Sequence, residues 1–217
     1  MKKSEADRLG THLLSRLTAD DMTLLDSYRR AFRPAFEAVV DRIRSELALE
    51  VSGRPAKSTT AIVDKLKRGS MRLTQMQDIA GCRILVPDIG AQDKLVVVLS
   101  GMFDATVIDR RVKPSHGYRA VHVVVKSADF PVEIQIRTDS QHVWAQLSEK
   151  LADIHGISTK YGGGPDFIRK PLSALSRLIE DLELHPNADD HPFGSDIQLN
   201  VEIRRLANLM IALRPQP

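Results

Sequence analysis

Val132-Glu133-Ile134-Gln135-Ile136-Arg137-Thr138 is the stretch on which the reading of the fold turns. Its side chains alternate strictly. Val132, Ile134 and Ile136 share one side of an extended chain, and Glu133, Gln135 and Arg137 share the other. Such a polar row can be plain solvent-facing surface, or a carboxylate, an amide and a guanidinium arranged to read a ligand. The segment Ala120 to Lys126 repeats the pattern, with Val121, Val123 and Val125 on one side and His122 and Lys126 on the other. Two polar rows on one face of a sheet predict the floor of a cleft.

Further out, Ile79 to Val86 and Ala105 to Val112 are also short, rich in Val and Ile, and bounded by Gly, Pro or Asp, which makes four strands in all. Between these two, Asp93 to Met102 fits a short helix through Lys94, Leu95, Val98, Leu99 and Met102. Upstream, Asp20 to Glu50 has helical spacing in Leu24, Leu25, Tyr28, Phe32, Phe36, Val39, Val40, Ile43 and Leu47. Thr18 and Asp21 form a capping box there, and Pro34 kinks or divides the helix. Ser58 caps a second helix that ends near Gly69. Downstream, Thr138 caps a helix from Ser140 to Ile154 with Val143, Trp144, Leu147 and Leu151 inward. Gly162-Gly163-Gly164-Pro165 breaks the chain before helices at Phe167 to Leu184 and Asp196 to Leu213, joined by a polar loop from Pro186 to Gly194. The class is α/β (α+β), a mixed β-sheet of about four to five strands flanked by helices. The organisation expected is a helical segment (1–51), a core (52–160) and a helical extension (161–217) in one compact unit.

Composition narrows the chemistry. The 217 residues carry 31 Lys+Arg against 28 Asp+Glu, a net charge of +3. The balance hides an uneven distribution: Arg54, Lys57, Lys65, Lys67, Arg68, Arg72 and Arg83 stand against only Asp64 and Asp78 in that stretch, and Arg110-Arg111-Lys113 with His116 and Arg119 form a second basic cluster. A basic centre points to an anionic ligand such as phosphate or nucleic acid, against the plainer alternative of a solvated face. Cys82 is the one cysteine, which excludes an internal disulfide and a cysteine-rich zinc module. The start, Met1-Lys2-Lys3-Ser4-Glu5-Ala6-Asp7, has no leader-like apolar core, and the longest apolar run, Leu95 to Leu99, is far short of a membrane span. A cytoplasmic protein with no membrane partner is expected.

Asp78 immediately precedes the strand that begins Ile79-Ala80-Gly81-Cys82-Arg83, where Gly81 permits close backbone approach. Together with Glu133 it supplies two carboxylates amid many bases, the donor set of a Mg²⁺–nucleotide site. P-loop, kinase, HExxH and paired CxxC signatures are absent from the chain.

Several motifs then fall in one order: Arg54-Pro55-Ala56-Lys57-Ser58 leading to Lys65-Leu66, Gln77-Asp78-Ile79-Ala80-Gly81-Cys82-Arg83, Asp109-Arg110-Arg111, Pro114-Ser115-His116-Gly117-Tyr118-Arg119-Ala120-Val121-His122, Glu133-Ile134-Gln135-Ile136-Arg137-Thr138 and Val143-Trp144-Ala145. Together they resemble the synthetase domain of the RelA/SpoT-like enzymes, over roughly Ser52 to His155. The resemblance implies a single-domain small alarmone synthetase with a nucleotidyltransferase-like fold. Its activity would be that of a GTP diphosphokinase-type transferase, moving the β,γ-diphosphate of ATP onto a ribose 3′-hydroxyl of GDP or GTP to make (p)ppGpp. It implies Mg²⁺ on Asp78 and on Glu133, the latter either as a second ligand or as general base. Arg54 and Arg83 would enclose the adenine, and Lys57 and Lys65 would meet the ATP phosphates. Tyr118 would stack on the acceptor base, with Gln135 and His122 on the acceptor side and Lys113 and Arg119 on its phosphates. Arg110 and Arg111 are open to a plainer reading as solvated bases, and Trp144 is read as a core residue facing the sheet.

Lys160-Tyr161-Gly162-Gly163-Gly164 looks like the toxic members of the family, which pyrophosphorylate the 3′-CCA end of tRNA. The alternatives implied are therefore a tRNA-modifying toxin held by an antitoxin partner, or a non-catalytic nucleotide- or RNA-binding module on the same fold. The length leaves no room for the hydrolase half of the long enzymes. The apolar positions Leu199, Ile203, Leu206, Leu209 and Met210 are read as packing on the sheet, with a homo-oligomer interface as the alternative.

Overall fold

The computed structural model describes residues 1–15 and 17–185 together with 201, 205 and 208. Five strands, β1 (Ser52–Arg54), β2 (Ala80–Val86), β3 (Ala105–Asp109), β4 (Val121–Ser127) and β5 (Phe130–Thr138), form a mixed sheet in the order β1-β2-β5-β4-β3. The alternating stretch thus lies on the central strand. Its apolar row is fully buried, and Glu133 and Gln135 opposite are half-buried. A two-residue turn, Ala128-Asp129, joins β4 to β5, and both of its residues have positive φ, 46° and 70°. That geometry matches the right-handed twist of a tight hairpin.

β1 was not expected. It is three residues long, too short for any alternation, and only pairing reveals it: Ser52, Gly53 and Arg54 lie antiparallel to Arg83, Cys82 and Gly81. β3 ends at Asp109 rather than Val112.

Seven helices complete the described fold: α1 (Lys3–Ser15), α2 (Ala19–Arg30), α3 (Arg33–Leu47), α4 (Thr59–Arg68), α5 (Ile89–Met102), α6 (Asp139–His155) and α7 (Asp166–Leu184). The caps follow side-chain chemistry. Thr18 accepts from the Asp21 amide while the Asp21 carboxylate accepts from the Thr18 amide, Ser58 accepts from Ala61, and Thr138 and Gln141 close a capping box on α6. Pro34 divides the long upstream helix: α2 stops at Arg30 and Pro34 occupies the first turn of α3, where a missing N–H costs nothing. α1 went unread, although Ala6, Leu9, Gly10 and Leu13 are buried at helical spacing. The expected helix from Asp196 to Leu213, its apolar stripe and the loop before it lie, three positions apart, outside the described residues. No helix among the described residues is long and apolar enough to cross a membrane.

The chain divides into two compact units. The first comprises Met1–Ile84, Val98–Val107 and His122–Gln135. Its core joins Leu25, Phe32 and Ile43 to Ile62, Leu73, Ile79, Ile84 and Ile134, all fully buried, with the Phe32 ring 4.7 Å from that of Phe130. The second comprises Leu85–Val97, Ile108–Val121 and Ile136–Pro217. Here Val143, Trp144, Leu147 and Leu151 of α6 pack on Ile168, Leu172, Leu175 and Ile179 of α7. Trp144 is the core residue expected, but its indole N–H reaches α7, donating to the Leu172 carbonyl at 2.9 Å.

Gly53 lets β1 approach β2: a Cβ there would stand 2.7 Å from the Cα of Cys82 and the carbonyl of Gly81. Those are backbone atoms that cannot swing aside. Gly53→Ala should therefore lower stability by about 1–3 kcal/mol, the usual cost of overpacking, and a thermal melt equal to wild type would contradict this account of the pairing.

Candidate active site

The first unit gathers the expected ATP-side and carboxylate residues. Asp78 follows the 3-10 turn Leu73–Gln75 and leads into β2. Its two carboxylate oxygens are taken separately: Oδ2 accepts from Lys57 Nζ at 2.6 Å and Oδ1 from Lys65 Nζ at 2.7 Å. Lys57 sits just before the N-cap of α4 and Lys65 in its last turn, so the helix spans the carboxylate with one ammonium at each end. The Lys57 amide donates to the Ile79 carbonyl at 2.7 Å, which ties the head of α4 to the start of β2. Behind it, Arg29 Nη1 donates to the Lys57 carbonyl at 3.0 Å and to Thr59 Oγ1 at 3.3 Å.

Burial alone would raise the Asp78 pKa, but the charges and hydrogen bonds of Lys57 and Lys65 outweigh it and hold the carboxyl below the usual range. For Lys57 burial wins, drawing the ammonium below the ordinary lysine range against the pull of Asp78. The clamp is therefore anionic at its centre and carries a cation that is incompletely compensated.

Glu133 is the second carboxylate. Its Oε1 lies 2.9 Å from His122 Nδ1 across the β4–β5 hairpin, and its Oε2 accepts from Gln135 Nε2 at 2.7 Å. Burial and the neighbouring charge of Asp78 push its pKa up. The hydrogen bond and charge of His122, with the Gln135 bond, outweigh them and leave it below the ordinary glutamate range. His122 and Gln135, expected on the acceptor side, both serve this carboxylate. β2 lies directly alongside: a Cβ on Gly81 would come within 3.0 Å of the Glu133 carbonyl and 3.6 Å of its Cβ. Lys126, of the same polar row, is exposed and pairs with Asp129 instead.

Arg54 and Arg83 occupy diagonal positions of the β1–β2 ladder, because Arg54 pairs with Gly81 and Arg83 with Ser52. Cross-strand partners share a face, as do residues two apart, so both guanidinium stems leave the same side. Cys82 faces the other way, buried, with its thiol pushed up to about 12 by burial; such a thiol is inert.

The other expected acceptor residues, Lys113, Tyr118 and Arg119, belong to the second unit. Lys113 is exposed. Tyr118 is half-buried, with the Arg137 guanidinium 5.0 Å over its ring and Arg137 Nη2 donating to its hydroxyl at 2.9 Å. Arg137 was seen in the polar row but given no role; its parity with Glu133 and Gln135 was the available signal. Arg119, expected on phosphate, is only 7% exposed and pairs with Glu180 of α7 at 2.9 Å. Arg111 is not solvated: it pairs with Asp93 and Asp109, each at 2.7 Å. Asp109, at the end of β3, is two residues back in the chain, whereas Asp93 comes from α5, which no local pattern connects to Arg111.

Asp78 and Glu133 fit magnesium, a hard cation that takes one or two carboxylates and completes its shell with phosphate oxygens and water. Both are held ionised, and each of their four oxygens accepts one hydrogen bond, which leaves lone pairs. No group of three His, Cys, Asp or Glu among the described residues could hold a metal unaided. Such a metal would need oxygens from the substrate.

The region found in RelA/SpoT proteins matches residues 53–153. An uncharacterised protein of Mycobacterium tuberculosis is 39% identical over 137 residues, which cover 59% of this chain and 50% of that protein. The chain thus spans about half the length of the mycobacterial relatives it matches. The GTP pyrophosphokinase YjbM of Bacillus subtilis is 33% identical over 155 residues, 61% of this chain and 69% of that protein. Among solved structures, small alarmone synthetase 1 of Bacillus subtilis bound to its product pppGpp superposes with a TM-score of 0.59 at 26% identity, covering 78% of this chain and 95% of that one. The matched region, the similarity to a GTP pyrophosphokinase and the shared fold agree, and the chain belongs to the RelA/SpoT family.

Proposed function

We propose that the protein is an ATP-dependent pyrophosphokinase that transfers the β,γ-diphosphate of ATP to the 3′-hydroxyl of GDP or GTP. The observation that carries this reading is the pair of ionised carboxylates: Asp78 between two lysines, and Glu133 secured by His122 and Gln135. Similarity to a GTP pyrophosphokinase and to a synthetase with bound pppGpp supports the nucleotide acceptor.

In this reading Lys57 and Lys65 leave Asp78 for the ATP phosphates. Asp78, with Glu133, would hold Mg²⁺, which when bound neutralises charge on the phosphate oxygens. Arg54 and Arg83 stand on diagonal ladder positions, whose separation of about 7–8 Å matches a purine held between two guanidinium planes. Glu133 accepts the proton of the 3′-hydroxyl as its oxygen attacks the β-phosphorus. The bond from that phosphorus to the α,β-bridging oxygen breaks, and AMP leaves with the bond's electron pair. A carboxylate held below its ordinary range is a weak base, but a loose phosphoryl-type transition state asks for little early proton transfer. What it requires is a base that is always ionised and always aimed, which His122 and Gln135 supply. On the acceptor side, Tyr118 of the second unit, backed by Arg137, offers a ring for the base, and Lys113 a charge for its phosphates.

Incubation with γ-³²P-ATP and Mg²⁺ should label GDP or GTP; label in tRNA alone would transfer the reading to a tRNA-modifying toxin. Glu133→Gln should cut transfer by about 10²–10⁴-fold, the usual worth of a general base, with affinity for a non-hydrolysable ATP analogue, measured without divalent cation, within about twofold of wild type. Lost analogue binding would make Glu133 a structural residue. Asp78→Asn should also abolish transfer. It should bind the analogue without divalent cation at least as tightly as wild type, because no carboxylate competes with phosphate for Lys57 and Lys65; weaker binding would mean the clamp does not open for phosphate. Both carboxylates ionise below their ordinary range, so their pairing stabilises the fold above that range and is lost as pH falls through the lowered values. The acid limb of kcat/KM against pH that Glu133→Gln removes should accordingly lie below the ordinary glutamate range, and if the limb it removes lies above that range Glu133 is not the base.

A further inference from the structure

α5 is an apolar helix with one fully buried polar side chain, Gln92. Both amide hydrogens are used: Nε2 donates to the Ile136 carbonyl of β5 at 2.8 Å and to Gln141 Oε1 of α6 at 3.0 Å. Its oxygen accepts from Arg111 Nη1 at 3.1 Å. The orientation of the amide is set by its neighbours, since the two partners of Nε2 only accept there and a guanidinium only donates. Gln141 Oε1 also accepts from the Thr138 amide, and its Nε2 donates to Glu183 of α7. Gln92 therefore joins β5, the first turn of α6 and Arg111 in one buried chain of hydrogen bonds within the second unit.

Arg111 stands at the foot of the loop from Arg110 to Ala120. Besides Gln92 it binds Asp93 and Asp109, and its own amide donates to Asp109 Oδ1 at 2.8 Å. The loop is a hairpin: Arg110 N–H donates to the Ala120 carbonyl at its base, and Ser115 and Tyr118 exchange both backbone bonds near its tip. His116 and Gly117 between them have φ of 55° and 89°, the pair of left-handed residues a tight two-residue turn demands. Lys113 and Tyr118 ride on this hairpin. Arg111 has three separate side-chain partners, and Gln92 is the neutral one among them, reading direction rather than charge.

We propose that Gln92 is a positioning residue for the acceptor nucleotide, acting through Arg111 to hold the hairpin that carries Lys113 and Tyr118. Its amide aims the guanidinium that two carboxylates neutralise, and its bonds to Ile136 and Gln141 anchor that aim to the strand of Glu133 and the helix that follows. The residues of the ATP side are untouched by this chain of bonds. The proposal rests on the pyrophosphokinase reading for its kinetic consequence, while the order it assigns to the hairpin does not.

The test is Gln92→Met, close in volume and unable to make any of the three bonds. The KM for GDP or GTP should rise by about tenfold, as for the loss of roughly one to two net hydrogen bonds at an oriented site, with the KM for ATP within about twofold. Equal rises for both substrates, or no change in either, overturn the proposal. Arg111→Gln should show the same split, and the double variant should be no worse than Arg111→Gln alone, whereas additive losses would mean the two act separately. Arg111→Gln, at a less buried position, also serves if Gln92→Met does not fold. Hydrogen exchange gives a readout without turnover: the Ser115 and Tyr118 amides should exchange faster in Gln92→Met, and the Lys57 amide should not. If wild type transfers to no nucleotide, the pyrophosphokinase reading fails, and unchanged exchange at Ser115 and Tyr118 would remove the positioning role as well.

Discussion

Keeping two carboxylates ionised in a half-buried setting is the requirement on which the rest of the site depends. Burying an unpaired carboxylate is so costly that the group would take up a proton instead. Asp78 avoids this with Lys57 and Lys65, one on each oxygen. Glu133 avoids it with an imidazole and an amide, again one on each oxygen. These different solutions give different chemistry. Ammonium groups on flexible stems can be drawn away by a more highly charged anion, whereas His122 and Gln135 sit on the paired strands of a hairpin and stay with Glu133. One carboxylate is built to exchange its partners and the other to keep them.

The secondary structure serves that division. α4 is ten residues long, about 15 Å at the usual rise, and bringing lysines from both of its ends to one carboxylate requires Asp78 to lie along the helix rather than at its tip. The bond from the Lys57 amide to the Ile79 carbonyl fixes that placement. Glycine permits the close pairing of the neighbouring strands at Gly53 and Gly81, where any Cβ would meet backbone.

The central strands, the caps at Thr18, Ser58 and Thr138, and the two carboxylates were legible because each is written in local order: alternation, a hydroxyl ahead of a helix, an acid at a strand's start. α1 was equally legible in Ala6, Leu9, Gly10 and Leu13 and was passed over because its charged flanks drew the reading. β1 was not legible, since three residues contain no period and the strand exists only through its pairing with Arg83, Cys82 and Gly81. The roles of Arg111, Arg119 and Arg137 were hidden for a related reason. A basic residue reads alike whether it faces water, a ligand or an acid; the acid of Arg119, Glu180, stands 61 positions away, and Arg111 joins Asp109, two positions back, to Asp93, 18 positions back. Gln92 carried no signal of its own, since it heads the polar run Gln92-Asp93-Lys94 and its three partners come from three other segments.

Charge accounting ties the site to its proposed ligand. Asp78 and Glu133 contribute two negative charges, and Lys57, Lys65, Arg54 and Arg83 four positive ones, so these six groups carry an excess of two. An ATP–magnesium complex carries the opposite excess of two, and its arrival would bring the site to balance. Free ATP would overshoot, and a bare divalent cation would add to an excess already positive and compete with two ammonium groups for Asp78. In the proposed reading the arrangement would therefore favour the nucleotide and the cation together over either alone, because each would supply the charge that the other's binding exposes. In the proposed reading the lysines on Asp78 would turn to phosphate as it arrives, and the carboxylate they release would then be open to a metal. Coupling of this kind needs no moving domain; it requires only that the partners exchanged carry charges of matching size within a few ångströms, where a low local dielectric makes an unbalanced charge expensive.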